Sequence, residues 1–69
     1  MEEIRDCRGR LVCKADASTG AVEMQYKGLR AKTCLPLGSV MTIEREGAVT
    51  IVTRTHQLSF SVESHDQVA

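Results

Sequence analysis

Aromatic side chains are almost absent from this chain. Its 69 residues contain no Trp, one Tyr and one Phe, namely Tyr26 and Phe60. A core built on large aromatic residues is therefore excluded, and aliphatic residues, Met and Cys must fill the interior. A domain of this size buries only about 60% of the surface that its unfolded chain exposes, so we expect the core to be thin.

The chain also lacks a net charge. Nine Lys and Arg balance nine Asp and Glu, which removes the strongest electrostatic argument for nucleic acid or an anionic membrane as partner. The two halves differ slightly: residues 1–34 carry seven basic and five acidic side chains, and residues 35–69 carry two and four. The N-terminal half is therefore mildly basic.

Long apolar runs and an export signal are missing as well. The first six residues, Met-Glu-Glu-Ile-Arg-Asp, are mostly charged, and no later run approaches the length of a membrane span. The sequence therefore predicts a cytoplasmic protein that does not contact a membrane. Three cysteines, an odd number, are expected to be free thiols in such a chain.

What the sequence does contain is an alternation of apolar and polar residues with a period of two. Turn signals divide it into runs at 11–15, 21–27, 29–35, 40–46, 48–55 and 58–63. The pattern predicts an all-β fold, a small antiparallel meander of five to six strands that is curled into a barrel or a two-layer sandwich. We expect a single small β domain over residues 1–69, with a frayed tail at 64–69.

Glycine positions predict where these strands turn. Lys27-Gly28 and Glu46-Gly47 each suit a tight hairpin, because glycine tolerates the positive φ that such turns require. A longer loop is expected at 16–20, and the segment 35–39, which contains Pro36 and Gly38, predicts a corner between the two halves. The runs at 11–15 and 58–63 are the predicted outer strands.

Residues that bind metals are present, but their spacing is unsuitable. The candidates are Cys7, Cys13, Cys34, His56 and His65, and five residues separate the two closest cysteines. Structural zinc sites usually take paired ligands two to four residues apart. We therefore predict no metal site and no cofactor.

Catalysis by a cysteine nucleophile has little support. Cys7 lies between Arg5 and Arg8, which favour its thiolate, yet no base or orienting group is fixed beside it. His56 is expected in a turn and His65 in the tail. We predict that the protein is not an enzyme and has no catalytic residues.

Basic residues of the first half are the candidates for contact with nucleic acid: Arg5, Arg8, Arg10, Lys14, Lys27, Arg30 and Lys32. Four of these, from Lys14 onwards, are expected on the polar face of adjacent strands, where a phosphate backbone can lie. Asp16 and Glu23 dilute this charge, and no surface aromatic residues are available to stack on bases.

Association with protein is the other alternative. Short strands with exposed edges pair readily with another chain, and a small core gains from the surface that is then buried. The partner is expected to be a second copy of the chain or another protein.

Two segments resemble a known family. Ile4-Arg5 through Lys14-Ala15-Asp16, and Val22-Glu23 through Tyr26-Lys27-Gly28-Leu29, are similar to the framing residues of the Com-type zinc-finger translational regulators of Mu-like phages. That family carries a C-x-x-C pair at each of two turns. Here 6–9 reads Asp-Cys-Arg-Gly and 26–29 reads Tyr-Lys-Gly-Leu, so the zinc ligands are lost.

The resemblance implies a zinc-ribbon relative without its metal, and a setting in a phage or other mobile element. It also implies a role in binding mRNA to control translation. Combined with the strand pattern, it leads to two hypotheses. The first is a small non-enzymatic interaction module of phage or mobile-element origin that acts by protein–protein association. The alternative is a regulator that binds RNA or DNA through the basic first hairpins.

Overall fold

The computed structural model describes residues 1–56 and 59–67. These residues form seven strands and no helix. The strands are β1 (Glu2–Arg5), β2 (Leu11–Asp16), β3 (Ala21–Tyr26), β4 (Leu29–Cys34), β5 (Val40–Arg45), β6 (Ala48–His56) and β7 (Ser59–Asp66). The predicted all-β fold is confirmed, with the short strand β1 as an addition to the predicted set.

The strands form two antiparallel meanders. The N-terminal sheet has the order β1-β2-β3-β4, and the C-terminal sheet has the order β5-β6-β7. In the described ranges the strands pair only within their own sheet, so the arrangement is an open two-layer sandwich and the barrel alternative is not realised.

Both predicted hairpin turns are present. Lys27 and Gly28 have φ angles of 49° and 82°, and Glu46 and Gly47 have φ angles of 43° and 85°. Positive φ at both central residues defines the two-residue turn whose twist matches that of its strands. The turns join Tyr26 to Leu29 in one hairpin and Arg45 to Ala48 in the other.

The predicted corner carries the chain from one sheet to the other. Leu35 N–H donates to Gly20 O over 2.8 Å and so extends the β3–β4 ladder by one residue. Three residues later Gly38 N–H donates to Arg54 O over 2.8 Å, which places the chain beside β6. The corner is therefore a change of sheet within one fold.

A small core lies between the sheets. It consists of Ile4, Val12, Cys13, Ala15, Val22, Leu35 and Val52, and Met24, Met41, Ile43 and Phe60 pack against it. Most of these side chains are short, as expected from the composition.

The central strand β6 turns Ala48, Thr50, Val52 and Arg54 inward and leaves Val49, Ile51 and Thr53 half-buried on the outside. Residues directly opposite each other in a ladder share a face of the sheet. Met41, Val52 and Val62 are opposite one another on β5, β6 and β7, so Val52 lies on the same inner face as Met41.

Two strand predictions are corrected. The run at 11–15 was expected at a sheet edge, but β2 lies between β1 and β3. The tail was expected to fray from Ser64, but β7 continues to Asp66 and Gln67 N–H donates to Gly47 O over 2.7 Å. Contacts with the β1–β2 loop hold this end in place, and residues 68–69 lie outside the described residues.

Candidate interaction surfaces

A polar cluster joins the two sheets at one end of the sandwich. The Asp6 side chain, which is fully buried, accepts hydrogen bonds from Arg8 N–H, Arg10 N–H and Arg10 Nε–H at 2.8–3.0 Å. The Arg10 guanidinium continues to Glu46 Oε2 at 3.2 Å and to Arg45 O at 2.9 Å. Tyr26 O–H donates to the other Glu46 oxygen over 2.9 Å. Glu46 therefore links the 6–9 turn to the 26–29 turn.

The cluster sets the ionisation of both carboxylates. Burial opposes the charge on Asp6, but the hydrogen bonds from Arg10 and Arg8 outweigh it and hold its pKa below the ordinary value. The hydrogen bond from Tyr26, helped by nearby cationic side chains, likewise lowers the pKa of Glu46. Both groups are therefore charged at neutral pH and tie the sheets together as acceptors.

A second contact ties β7 to the same loop. Arg8 binds Asp66 Oδ1 through Nη2 at 2.9 Å and donates from Nη1 to Glu46 O over 3.0 Å. Cys7 N–H donates to Ser64 Oγ over 2.8 Å, and Ser64 in turn shares a hydrogen bond of 3.1 Å with Thr50. Two of the predicted nucleic-acid contacts, Arg8 and Arg10, therefore also bind acceptors of their own chain, and the Arg8 side chain remains 48% exposed.

The other basic candidates lie on the surface. Arg5 binds Glu3 and Lys32 binds Glu23, each at 3.2 Å, and the Lys27 amine lies 5.2 Å from the centre of the Tyr26 ring. Within the described residues, no carboxylate lies within ion-pair distance of Lys14 or Arg30. The seven candidates therefore do not form one continuous patch, although three of them, Lys14, Arg30 and Lys32, lie close together on the outer face of the N-terminal sheet.

Charges of opposite sign alternate across the outer face of the N-terminal sheet. The register places Glu3 opposite Lys14, Lys14 opposite Glu23, and Glu23 opposite Lys32. Opposite charges on neighbouring strands attract, and the row carries no net charge. A phosphate backbone laid across this row would meet carboxylates as often as amines.

A cleft opens between β2 and β3. Each strand has six residues, but only Lys14–Asp16 pairs with Ala21–Glu23, so the strands separate beyond Lys14. The gap holds a cavity of about 240 Å³ that opens on the outer face, where Lys14, Arg30 and Lys32 contribute to its rim. A cavity of about 270 Å³ adjoins it on the inner side, lined by Leu11, Met24, Tyr26 and Ile43 among others.

Arg45 lies at the inner cavity. Its Nη1 donates to Leu11 O over 3.0 Å, and its guanidinium lies 5.0 Å from the centre of the Tyr26 ring. Its Nε is buried without a hydrogen-bond partner among the described residues. A guanidinium beneath an aromatic ring gains cation–π stabilisation, so Arg45 holds the open end of β2 against β3.

At the opposite end of β6 a second arginine is buried. Arg54 is 9% exposed, and its Nη1 donates to Leu35 O over 2.9 Å while its Nη2 lies 3.4 Å from Ala17 O. Backbone carbonyls therefore take the place of a carboxylate partner. The side chain passes directly over Gly20, which has no side chain to obstruct it.

Four strands provide the free edges of the two sheets: β1 and β4 in one, β5 and β7 in the other. All six residues of β4 are exposed, including Leu29, which is 75% exposed. On β5 the outward-facing Val40 is 57% exposed. The predicted edge at 58–63 corresponds to β7 from Ser59 onwards, and residues 57 and 58 lie outside the described residues.

The cysteines and histidines are the candidate metal ligands of the sequence. The described part of the chain holds no group of three or more His, Cys, Asp or Glu residues able to bind a metal ion. Cys7 and Cys34 are exposed free thiols, and burial raises the pKa of the Cys13 thiol to about 11. Among the residues described, no helix has the length and apolar character needed to cross a membrane.

The chain matches no family model, no curated protein and no solved structure.

Sequence reasoning missed the roles of Glu46, Arg45 and Arg54. Glu46 was assigned only to a turn, and the two arginines only to alternating strand positions. Their partners lie between 19 and 37 residues away along the chain. The one available signal was a charged residue on the same alternating face as apolar ones, as with Arg45 beside Met41 and Ile43.

Proposed function

We propose that this chain is a small non-enzymatic interaction module that acts by protein–protein association through a sheet edge. The observation that carries this proposal is the exposure of the neighbouring sheet edges β4 and β5, where Leu29 is 75% and Val40 is 57% exposed. Unpaired backbone groups beside exposed apolar side chains are the features that strand addition uses.

Composition of the outer surface supports the same conclusion. On the outer face of the C-terminal sheet, the half-buried Val49 and Ile51 lie beside the exposed Val40 and Thr42. Two carboxylates border these apolar side chains, with Glu44 opposite Val49 and Glu63 opposite Ile51, as a polar rim borders the apolar centre of a protein interface. The setting that we propose for the module is a phage or mobile element, as the Com-type resemblance implies.

Sedimentation of the purified chain, combined with capture of purified candidate partners on the immobilised protein, tests this function. We expect a reversible complex, either with itself or with one defined partner. A strict monomer at every concentration that also captures no partner would refute the proposal. The variant Leu29→Lys tests the edge itself. It adds a charge to the uncovered face of β4 and should weaken a complex that uses this edge.

Binding of RNA or DNA is the second candidate function. The observation that favours it is the rim of the outer cleft, where Lys14, Arg30 and Lys32 meet one carboxylate, that of Glu23. Polyanions bind such sites with a strong dependence on salt concentration, since each phosphate contact releases counterions.

A gel-shift assay at low salt with mixed RNA and DNA tests this alternative. The double variant Arg30→Gln/Lys32→Gln should weaken binding. The control Ser59→Glu/Ser61→Glu makes the same change in net charge on the exposed strand β7 and should leave most of the binding. Equal losses in the two variants would indicate a response to overall charge alone and would contradict a site at the cleft.

A further inference from the structure

The four sheet edges are not equally protected against pairing with another chain. β1 has only four residues and a register shift at its end, and β7 has a register shift opposite Arg54 and His56. β4 carries Arg30 and Lys32. β5 pairs regularly with β6 over all six residues, and its two charged residues, Glu44 and Arg45, lie at its C-terminal end. Irregular pairing and cationic side chains discourage strand addition, so β5 is the least protected edge.

On the side of β5, the N-terminal sheet extends one strand beyond the C-terminal sheet. The inner cavity is lined by residues of β2, β3 and β5, so β5 lies beneath the β2–β3 boundary. The next strand of the N-terminal sheet is β4. Its inward-facing residues are Leu29, Ala31 and Thr33, and all three are exposed. Residues 1–56 and 59–67 therefore leave one strand position empty beside β5 and beneath β4.

Backbone alternation identifies the groups that β5 offers to this position. Arg54 N–H donates to Ser39 O over 3.1 Å, so Ser39 directs its carbonyl toward β6. In an antiparallel ladder this orientation recurs at every second residue, which assigns Met41, Ile43 and Arg45 to the bonds with β6. Val40, Thr42 and Glu44 therefore direct their N–H and C=O groups away from β6, into the empty position.

We infer that β5 pairs antiparallel with β5 of a second copy, about a twofold axis that passes through Thr42. This inference rests on the proposed function and names its partner. The pairing joins the two C-terminal sheets into one sheet of six strands and places β5 of each copy beneath β4 of the other. A self-complementary contact of this kind is the usual form of a twofold dimer.

Side-chain chemistry favours this register. Opposite residues share a face, so Met41 meets Ile43 of the second copy on the inner side, and Thr42 meets Thr42 on the outer side. Glu44 meets Val40, and Arg45 meets Ser39. No like charges face each other. Val40, Thr42 and Glu44, whose backbone groups point away from β6, supply the donors and acceptors for the hydrogen bonds between the two β5 strands.

Two substitutions of one exposed residue test the register. Val40→Lys places an amine opposite Glu44 of the second copy at two symmetric positions, and Val40→Glu places a carboxylate there. Both variants lose the same apolar side chain, so the difference between them reports the cross-strand contact. We expect Val40→Lys to dimerise about tenfold more tightly than Val40→Glu at low salt, with a smaller difference at high salt.

Adding Glu44→Lys to Val40→Glu restores opposite charges across the same contact. The double variant should therefore recover the dissociation constant of Val40→Lys to within about threefold. Sedimentation velocity from micromolar to millimolar concentration provides the measurement, and far-UV circular dichroism verifies that each variant is folded.

A proline pair tests the edge independently of charge. Thr42→Pro removes an N–H that β6 does not use, and should weaken the dimer at least about tenfold. Lys32→Pro is the matched control, because the same alternation along the β3–β4 ladder directs its N–H away from β3. Loss of the dimer in Lys32→Pro alone would assign the contact to β4 and overturn the inference.

The remaining outcomes separate this inference from the proposed function. A dimer whose dissociation constant is the same for Val40→Lys and Val40→Glu would overturn the register and leave association intact. A strictly monomeric wild-type chain would overturn the second copy as partner. The proposed function would then fail only if no other protein bound.

Discussion

Replacement of Gly20 by alanine tests the close approach of Leu35 and Arg54 to this glycine. Gly20 is buried, and its φ of 82° lies in the region that side chains with a Cβ rarely adopt. An added Cβ would collide with Leu35 O and with Arg54 Nη1. These two atoms form the hydrogen bond of 2.9 Å between the buried guanidinium and the Leu35 carbonyl. The added methyl group would therefore strain the backbone at residue 20 and also displace this hydrogen bond.

The expected loss follows from these two costs. A positive φ at a residue with a Cβ costs roughly 1–2 kcal/mol. Displacing a hydrogen bond to a buried charged group costs about 1.5–3 kcal/mol more. The total, about 2.5–5 kcal/mol, is comparable with the whole stability of a domain of this size, roughly 3–10 kcal/mol. We therefore expect Gly20→Ala to lose most or all of its free energy of unfolding.

Gly28→Ala is the matched control. Gly28 has the same φ of 82°, but an added Cβ there would meet nothing within 4 Å. It should lose only the backbone cost, about 1–2 kcal/mol. Urea denaturation followed by far-UV circular dichroism measures both, since the chain has no Trp to serve as a fluorescence probe. Equal losses in the two variants would refute the close approach of Arg54 and Leu35 to Gly20.

Three further predictions address the core and the polar cluster. Because the folded-state pKa of Asp6 is lowered, its contribution to stability is present above its unfolded pKa, about 3.9, and disappears as pH falls through the folded value. Asp6→Asn should therefore flatten the decline of the urea midpoint between neutral and acidic pH, and an unchanged decline would contradict this. Maleimide labelling followed by mass spectrometry should add two groups to the folded protein and three in urea, because Cys13 is buried. Val52→Ala should lower the free energy of unfolding by about 2 kcal/mol and Ile51→Ala by less, since only Val52 is fully buried. The reverse order would indicate that β6 faces the other way.

Local chemistry made the strands and hairpins predictable. Lys27-Gly28 and Glu46-Gly47 have the backbone freedom that a two-residue turn requires, and the flanking residues alternate in polarity. Pro36 and Gly38 interrupt the pattern at the place where the chain changes sheet. Each of these signals lies within a few residues of the feature that it predicts, so no tertiary contact was needed to interpret it.

The inward face of β6 was not predictable in the same way. Val49, Ile51 and Thr53 are at least as hydrophobic as Thr50, Val52 and Arg54, so alternation alone does not identify the buried set. The register with β5 and β7 decides it. Burial of Arg54 also depends on carbonyl groups supplied by Ala17 and Leu35. These partners are brought there by the fold.

Prediction of the candidate sites was limited for a similar reason. Arg8 and Arg10 have the composition of a nucleic-acid site, but Arg8 binds Asp66 and Arg10 binds Glu46, which lie 58 and 36 residues away in the sequence. Only the pairing of Arg10 with Asp6 lies within one segment, so counting charges there could not reveal the other two contacts. The edge position of β4 was not predicted either, because strand order depends on pairings that alternation within a strand does not specify.

The cleft between β2 and β3 has a consequence for motion. Beyond Lys14 the β3–β4 hairpin is no longer held by hydrogen bonds to β2, so its far end depends on Tyr26 and its contacts with Arg45 and Glu46. Local opening occurs where few bonds must break. Amide hydrogens between Met24 and Arg30 should therefore exchange with solvent well before those of β6, which is paired on both sides. We therefore expect the far end of the β3–β4 hairpin to move relative to the rest of the sandwich, about the last pair of β2 and β3, Lys14 and Glu23.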